Sequence, residues 1–245
     1  MAVELNGLVC LITGADEGIG HGLVHGFLAR GARVAAGLLD ASQSTSKVRP
    51  ALAVQMDVMQ PEQVKSAVEK TVAKFGRIDV LINNAGVYPR QFAATMTYAE
   101  WRAVLDVNLD GAWHCCEAVI PRFKNQGCGV IINIGSIGLQ LGMAELTHYH
   151  ASKGGIVGLT RGLARDLGQY NVRVNCLHLG AVATEGEIRL FPDQAGILRL
   201  VNEKQCLPGR LTPQTIEPVF AFFASAESRD ITGQCLTVDR GWTHG

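Results

Sequence analysis

The stretch from His148 to Lys153 reads HYHASK and places a phenol and an ammonium four residues apart. On a helix that spacing is one turn, so Tyr149 and Lys153 share a face and can serve one site. A phenol that passes a proton near neutral pH must ionise about three units below its free value of ~10, which takes roughly 4 kcal/mol of differential stabilisation. A cation held nearby in a partly dry site supplies energy of that order. Taken alone, the pair fits equally a lysine laid over a half-buried tyrosine. The flanking histidines, His148 and His150, each point about 100° away from Tyr149 on a helix. His150 suits helix packing or a subunit contact better than a second base, and a role for His148 at a substrate mouth is the less favoured alternative. No acid or sulfur partner sits at ligand spacing beside them, so no metal site is implied.

Such a pair needs a scaffold, and the chain alternates two periods. Unbroken apolar runs lie at 8–13, 32–39, 51–56, 78–83, 129–135, 172–179 and 235–239. Their lack of polar alternation predicts strands buried on both faces, hence a parallel sheet between two layers of helices. Between them are helical patterns. One opens at Pro61, spaces Val64, Val68, Val72 and Phe75 along one side, and stops at Gly76. A long helix is expected from about Tyr98 to Lys124, disrupted near its end by Pro121. Another runs from about Tyr149 to Leu167 with a Leu159, Leu163, Leu167 stripe. The fold class is therefore α/β: one doubly wound, seven-stranded parallel sheet in a single Rossmann-like domain over residues 1–245. Residues 184–212 exceed an ordinary strand-to-helix connection and are expected to form a lid over the substrate.

The first strand runs straight into TGADEGIG, residues 13–20. Gly14, Gly18 and Gly20 permit a tight turn, close approach of backbone to a pyrophosphate and close helix packing, while the following helix offers free N–H groups and a positive dipole end. A nucleotide cradle is the stronger reading of that placement than a purely structural turn.

These residues resemble the short-chain dehydrogenase/reductase family, whose fingerprint is TGxxxGxG. The likeness recurs in order: NNAG at 83–86, VNL at 107–109, Ser136 after the fifth strand, YHASK at 149–153, and ITGQCLTVD near the C-terminus. It spans essentially the whole chain, and Ser136 stands thirteen residues before Tyr149, as the family requires. The resemblance implies a hydride transfer between a nicotinamide and a secondary alcohol or ketone. Tyr149 would exchange the proton with the substrate oxygen. Lys153 would favour the phenolate and bind the nicotinamide ribose, Ser136 would hold the substrate oxygen, and Asn108 would order the lysine and a water chain. It implies a cofactor cradle of Gly14, Asp16, Glu17, Gly18, Ile19 and Gly20, then Asn84, Ala85 and Gly86, with Asp57 and Val58 at the adenine and Gly180, Val182 and Thr184 at the carboxamide, besides Tyr149 and Lys153.

NAD is the expected cofactor, NADP the alternative. The family's ribose-binding acid would fall near Leu38, and Asp40 takes its place only if the strand end is displaced. The cations that pair with a 2′-phosphate are missing, since Glu17 and Leu39 occupy their positions. Leu179 replaces the family's proline after the sixth strand, which puts the rigidity of that turn in question. Arg240 stands where glycine is usual, either solvated or touching a neighbour.

By analogy Arg90, Gln140, Glu145, Ser136 and Tyr149 face the substrate and suit a sugar, polyol or sugar acid. Leu139, Leu141, Met143, Leu190 and Phe191 allow a hydrophobic alcohol equally well. An NADPH-dependent 3-oxoacyl thioester reductase is the competing enzyme. A silent nucleotide-sensing scaffold is disfavoured because all four catalytic types are present.

Twenty-two basic and twenty-two acidic side chains cancel, so no net field recruits nucleic acid or an anionic membrane. At 47% hydrophobic residues the chain can bury a sizeable core, yet it holds no long uncharged apolar run and no signal-peptide pattern. Seven scattered cysteines read as reduced thiols of a cytoplasmic protein, none of them catalytic. A homotetramer is expected by resemblance.

Overall fold

The computed structural model describes residues 3–44 and 48–244. Seven strands form one parallel sheet: β1 Val9–Ile12, β2 Arg33–Leu38, β3 Leu52–Gln55, β4 Val80–Asn83, β5 Gly129–Ser136, β6 Val172–Leu179 and β7 Cys235–Val238, in the order β3-β2-β1-β4-β5-β6-β7. The helices are α1 Gly18–Ala29, α2 Ala41–Ser44, α3 Pro61–Phe75, α4 Tyr98–Leu105, α5 Gly111–Gln126, α6 Gly138–Leu141, α7 Thr147–Leu167, α8 Glu185–Leu190, α9 Gln194–Lys204 and α10 Pro213–Ala224.

The apolar runs feed two cores because alternate side chains leave opposite faces of the sheet. Cys10, Ile12, Val80, Ile82 and Ile132 pack towards α1 and α10. Leu11, Leu81 and Ile131 pack towards α3, α5 and α7. Burying one such side chain fully is worth roughly 1.5–3 kcal/mol, so a strand that feeds both layers has no position to spare for a polar residue. The rule weakens at the sheet's ends: Gln55 of β3 and Leu236 of β7 are exposed, contrary to the expectation of strands buried on both faces.

Two helical expectations are adjusted. The helix from Tyr98 continues to Gln126, but a π-helical turn, Asp106–Asp110, separates α4 from α5. Pro121 sits inside α5 without ending it; the stop is Gly127, whose φ of 67° is left-handed. The segment 184–212 carries α8 and α9 and is closed by a bridge between Val182 and Leu211.

Arg240, partly buried, is held by bonds within its own chain. Its backbone is left-handed at φ 60°, its Nε donates to the Leu207 carbonyl at 3.2 Å, and its guanidinium also bonds the Pro208 carbonyl. Leu207 N–H returns a bond to the Arg240 carbonyl at 3.0 Å. The trailing end of the lid is thereby sewn to the C-terminal segment. The doubtful turn after β6 is held as well. Leu179 lies in the core, its carbonyl accepts from Ile137 N–H at 3.2 Å, and Gly180 N–H donates to the Val238 carbonyl at 3.0 Å.

Candidate active site

Every predicted motif ends at the carboxyl edge of the sheet, around the point between β1 and β4 where strand order reverses and ligands of such sheets bind. Thr13, next to β1, fixes the cradle. Its hydroxyl accepts from Asn84 N–H and Ala85 N–H at 3.0 and 2.9 Å, and the Asn84 amide donates to the carbonyls of Thr13 and Gly14, both at 2.8 Å. NNAG is thus latched onto the glycine turn. A Cβ on Gly20 would stand 2.3 Å from the Gly14 carbonyl oxygen, so only glycine lets α1 start this close to the strand.

At the head of α1 the Gly18 N–H is bound by a carboxylate oxygen of Glu185 at 3.2 Å, the first residue of α8. An oxyanion in that place is what the dipole and free N–H groups of a helix N-terminus select, so the residues fit the diphosphate of a dinucleotide. Glu17 next to it is bidentate to Arg189 of α8 at 2.6 and 2.8 Å. Ile19 lies in the first turn of α1, partly buried against the core. Thr184, expected at the carboxamide, caps α8 by accepting from Glu187 N–H at 3.1 Å, and Val182 pairs with Leu211.

Two acids lie at the end of β2, Asp16 reaching it from the glycine turn after β1 and Asp40 following the strand itself. Asp16 accepts the Leu39 N–H at 2.9 Å, while Asp40 accepts from Ser42 N–H and its hydroxyl at 3.0 and 2.5 Å, at the start of α2. Asp57 lies between β3 and α3, where it accepts Met59 N–H at 2.9 Å rather than capping α3; Val58 beside it is buried, its carbonyl 2.9 Å from His114 Nδ1.

Ser136 ends β5 and Tyr149 and Lys153 lie one turn apart on α7. Burial raises the Tyr149 pKa above 10.0, a hydrogen bond with Ser136 works in the opposite sense, and Tyr88, whose ring centroid lies 6.1 Å away, raises it further. Lys153 is buried, its Nζ 2.7 Å from the Ile134 carbonyl and 5.6 Å from the Tyr149 ring centroid. Burial lowers its pKa from 10.5 to about 8, opposed by Cys176. Asn108, in the π-helical turn, is saturated by its neighbours. Its carbonyl accepts Val87 N–H at 2.7 Å and its amide donates to Val87 O and Ser152 Oγ at 2.9 and 3.1 Å. The π turn aims it there, a common use of such turns. Its side chain holds the strand-4 loop, including Gly86, against α7.

Of the histidines, His148 is fully buried and cannot reach a substrate mouth; its Nδ1 accepts Tyr149 N–H at 3.0 Å. The His150 ring lies beside Gly138, where a Cβ would be 2.9 Å from its Nε2. At the rim Arg90 meets Glu145 at 3.2 Å and stacks over Phe191 of the lid, 5.7 Å from its centroid. Gln140 is exposed on α6, and the side chain of Leu190 lies outside the described residues. Sequence reasoning missed Thr13, Tyr88, the lid acid Glu185 and His178, whose Nδ1 accepts the Ser136 N–H at 3.1 Å. Their roles come from pairings between distant segments, which no local motif signals.

Among the described residues no helix is long and apolar enough to cross a membrane. A family model described as Enoyl-(Acyl carrier protein) reductase matches residues 14–243. The chain is 37% identical to a probable galactose dehydrogenase of Rhizobium meliloti over 94% of its length and 93% of the relative's. It is 36% identical to a D-xylose 1-dehydrogenase of Caulobacter vibrioides, with 98% and 97% covered, and 36% identical to a 3-oxoacyl-(acyl-carrier-protein) reductase of Thermotoga maritima, with 98% and 99% covered. A solved structure described as a "putative gluconate dehydrogenase" from Agrobacterium tumefaciens superposes with a TM-score of 0.92 at 28% identity, covering 99% of this chain and 98% of that one. With the cradle, the ordered motifs and these relatives in agreement, the chain is a nicotinamide-dependent oxidoreductase acting on CH–OH groups and belongs to the short-chain dehydrogenase/reductase family.

Proposed function

We propose that the protein oxidises a secondary hydroxyl of a sugar, polyol or sugar acid with NAD. The observation that carries the reading is the Arg90–Glu145 pair at the rim, 3.2 Å apart, with Arg90 over Phe191. A donor and an acceptor held together two residues past Tyr88 and four residues before Tyr149 suit a substrate rich in hydroxyls or bearing a carboxylate. The relatives named for galactose and D-xylose support the same class, and the acyl thioester reductase remains the second reading.

NAD is favoured by charge. Asp16 and Asp40 stand at the end of β2 and Glu17 just before the second glycine, so a 2′-phosphate there would meet carboxylates. A bound nicotinamide would supply the acceptor for the hydride from the substrate carbon. Tyr149 removes the hydroxyl proton, Ser136 holds the same oxygen, and Lys153 supplies the positive charge that the phenolate needs, since burial alone disfavours it. Asn108 positions the strand-4 loop and α7. We place the enzyme in the cytoplasm as a homotetramer, in keeping with seven free cysteines and the family's habit.

The test is reduction of NAD and NADP by a panel of aldoses, polyols, aldonates, simple secondary alcohols and hydroxyacyl thioesters, with Tyr149→Phe as control. Turnover of sugars or sugar acids with NAD, lowered at least ~100-fold in the variant while NAD still binds, supports the reading. Turnover of the thioester with NADP alone overturns it.

A further inference from the structure

Behind Ser136, three donor atoms with no part in the reaction meet where β6 and β7 lie side by side. Cys176 and Cys235 are direct partners in the parallel register, and His178, two residues along β6, projects from the same face. The two sulfurs and an imidazole nitrogen all lie within 4.8 Å of one another. Gly135 on β5 forms the third wall. A Cβ there would stand 2.3 Å from His178 Nδ1 and 2.8 Å from Cys176 Sγ, so the missing side chain is what makes room for both. All three cluster residues are at least partly buried, and both thiols are unpaired as disulfides.

We propose that Cys176, Cys235 and His178 form a site for a thiophilic divalent cation, zinc foremost, and that its occupancy switches the enzyme off through Ser136. Two sulfurs and an imidazole are a borderline-soft donor set that suits zinc over magnesium or calcium. Tetrahedral zinc, with bonds of about 2.3 Å to sulfur and 2.0 Å to nitrogen, keeps its donors roughly 3.5–3.8 Å apart, so closing the cluster needs side-chain shifts of about 1 Å or less. Charge fits as well. Two thiolates neutralise a divalent ion, so the ammonium of Lys153, close enough to Cys176 to feel its charge, is not opposed.

The link to catalysis follows from the single lone pair of a neutral imidazole. His178 Nδ1 accepts the Ser136 N–H at 3.1 Å, so its proton is on Nε2. A metal at Nδ1 displaces that bond directly. A metal at Nε2 drives the proton to Nδ1, where it faces the Ser136 N–H and expels it. Either way the residue that holds the substrate oxygen loses its backbone anchor.

The experiment titrates reduced, metal-free protein with cobalt(II), then zinc, in wild type and in Cys235→Ala and Cys235→Val. The expected result is one cobalt per chain with a sulfur-to-cobalt charge-transfer band and tetrahedral visible bands, displaced by zinc and absent from both variants. Zinc lowers wild-type turnover more than roughly tenfold, the equivalent of one lost hydrogen bond of about 1.4 kcal/mol, a chelator restores it, and the variants are insensitive. The spectra are read without turnover, so they stand whichever substrate the enzyme takes. Absence of the bands in wild type, or their persistence in both variants, overturns the proposal. So does an inhibition reversed by thiols and not by chelator, which would mean a Cys176–Cys235 disulfide instead.

Discussion

Replacing Lys153 by Met should make this protein more stable and inactive at once. In the folded chain burial holds the Lys153 ammonium at a pKa of about 8, against an ordinary 10.5. That difference of about 2.5 units corresponds to about 3 kcal/mol of destabilisation by the buried charge. Between pH 8 and 10.5 the unfolded chain binds more protons than the native one, so stability rises with pH over that window. The cost is fully present below about pH 8 and gone above about 10.5. Met removes it and keeps the apolar stem, but leaves the Ile134 carbonyl without its 2.7 Å donor, at about 1 kcal/mol. The net gain at pH 7 is about 2 kcal/mol, or roughly 4–8 °C in Tm for a domain of this size. Thermal unfolding of both proteins without cofactor, at pH 7 and pH 10, is the assay. The variant should melt higher at pH 7 and lose most of its lead by pH 10. A variant that melts lower at pH 7, or a lead that does not change with pH, would refute the reasoning.

Three further outcomes are expected. Glu185→Ala removes the carboxylate that competes for the Gly18 N–H and should tighten NAD binding roughly two- to fivefold, the scale of one charge at a helix N-terminus, by calorimetric titration. Gly20→Ala puts a Cβ 2.3 Å from the Gly14 carbonyl and should weaken NAD binding at least ~10-fold by distorting the turn, which the same titration reads. Arg30→Met strands the buried Glu217, whose bidentate pairing at 2.7 and 2.9 Å it removes, and should cost about 3 kcal/mol in urea unfolding; adding Glu217→Leu should recover most of the loss.

How much of this was legible beforehand depended on whether the cause was local. Six of the seven strands fall inside the apolar runs, and β5 passes the end of its run only by Ser136, because a strand that feeds two cores is written in consecutive residues. The order of glycine turn, NNAG, Ser136 and Tyr149–Lys153 was readable for the same reason. The π turn at Asp106–Asp110 was not, since nothing in DVNLD separates it from an ordinary helix, and yet it aims Asn108 at Val87 and Ser152. For His148 the sequence left a substrate-mouth role as the less favoured alternative, and the structure settles against it: helical geometry gives a direction but not what lies there, and its direction leads into the interior. The cluster behind Ser136 joins residues 135, 176, 178 and 235, which only strand register brings together.

The bonds from Arg240 to Leu207 and Pro208 have a mechanical meaning. They pin the trailing end of the lid like a hinge, while α8 at the leading end is tied by the exposed pair Glu17–Arg189 and by the largely buried pair Glu187–Arg210. The hinge pin belongs to the last six residues of the chain. A tag or trim at the C-terminus therefore acts on the door rather than on the house: it should disturb substrate handling while the sheet stays intact.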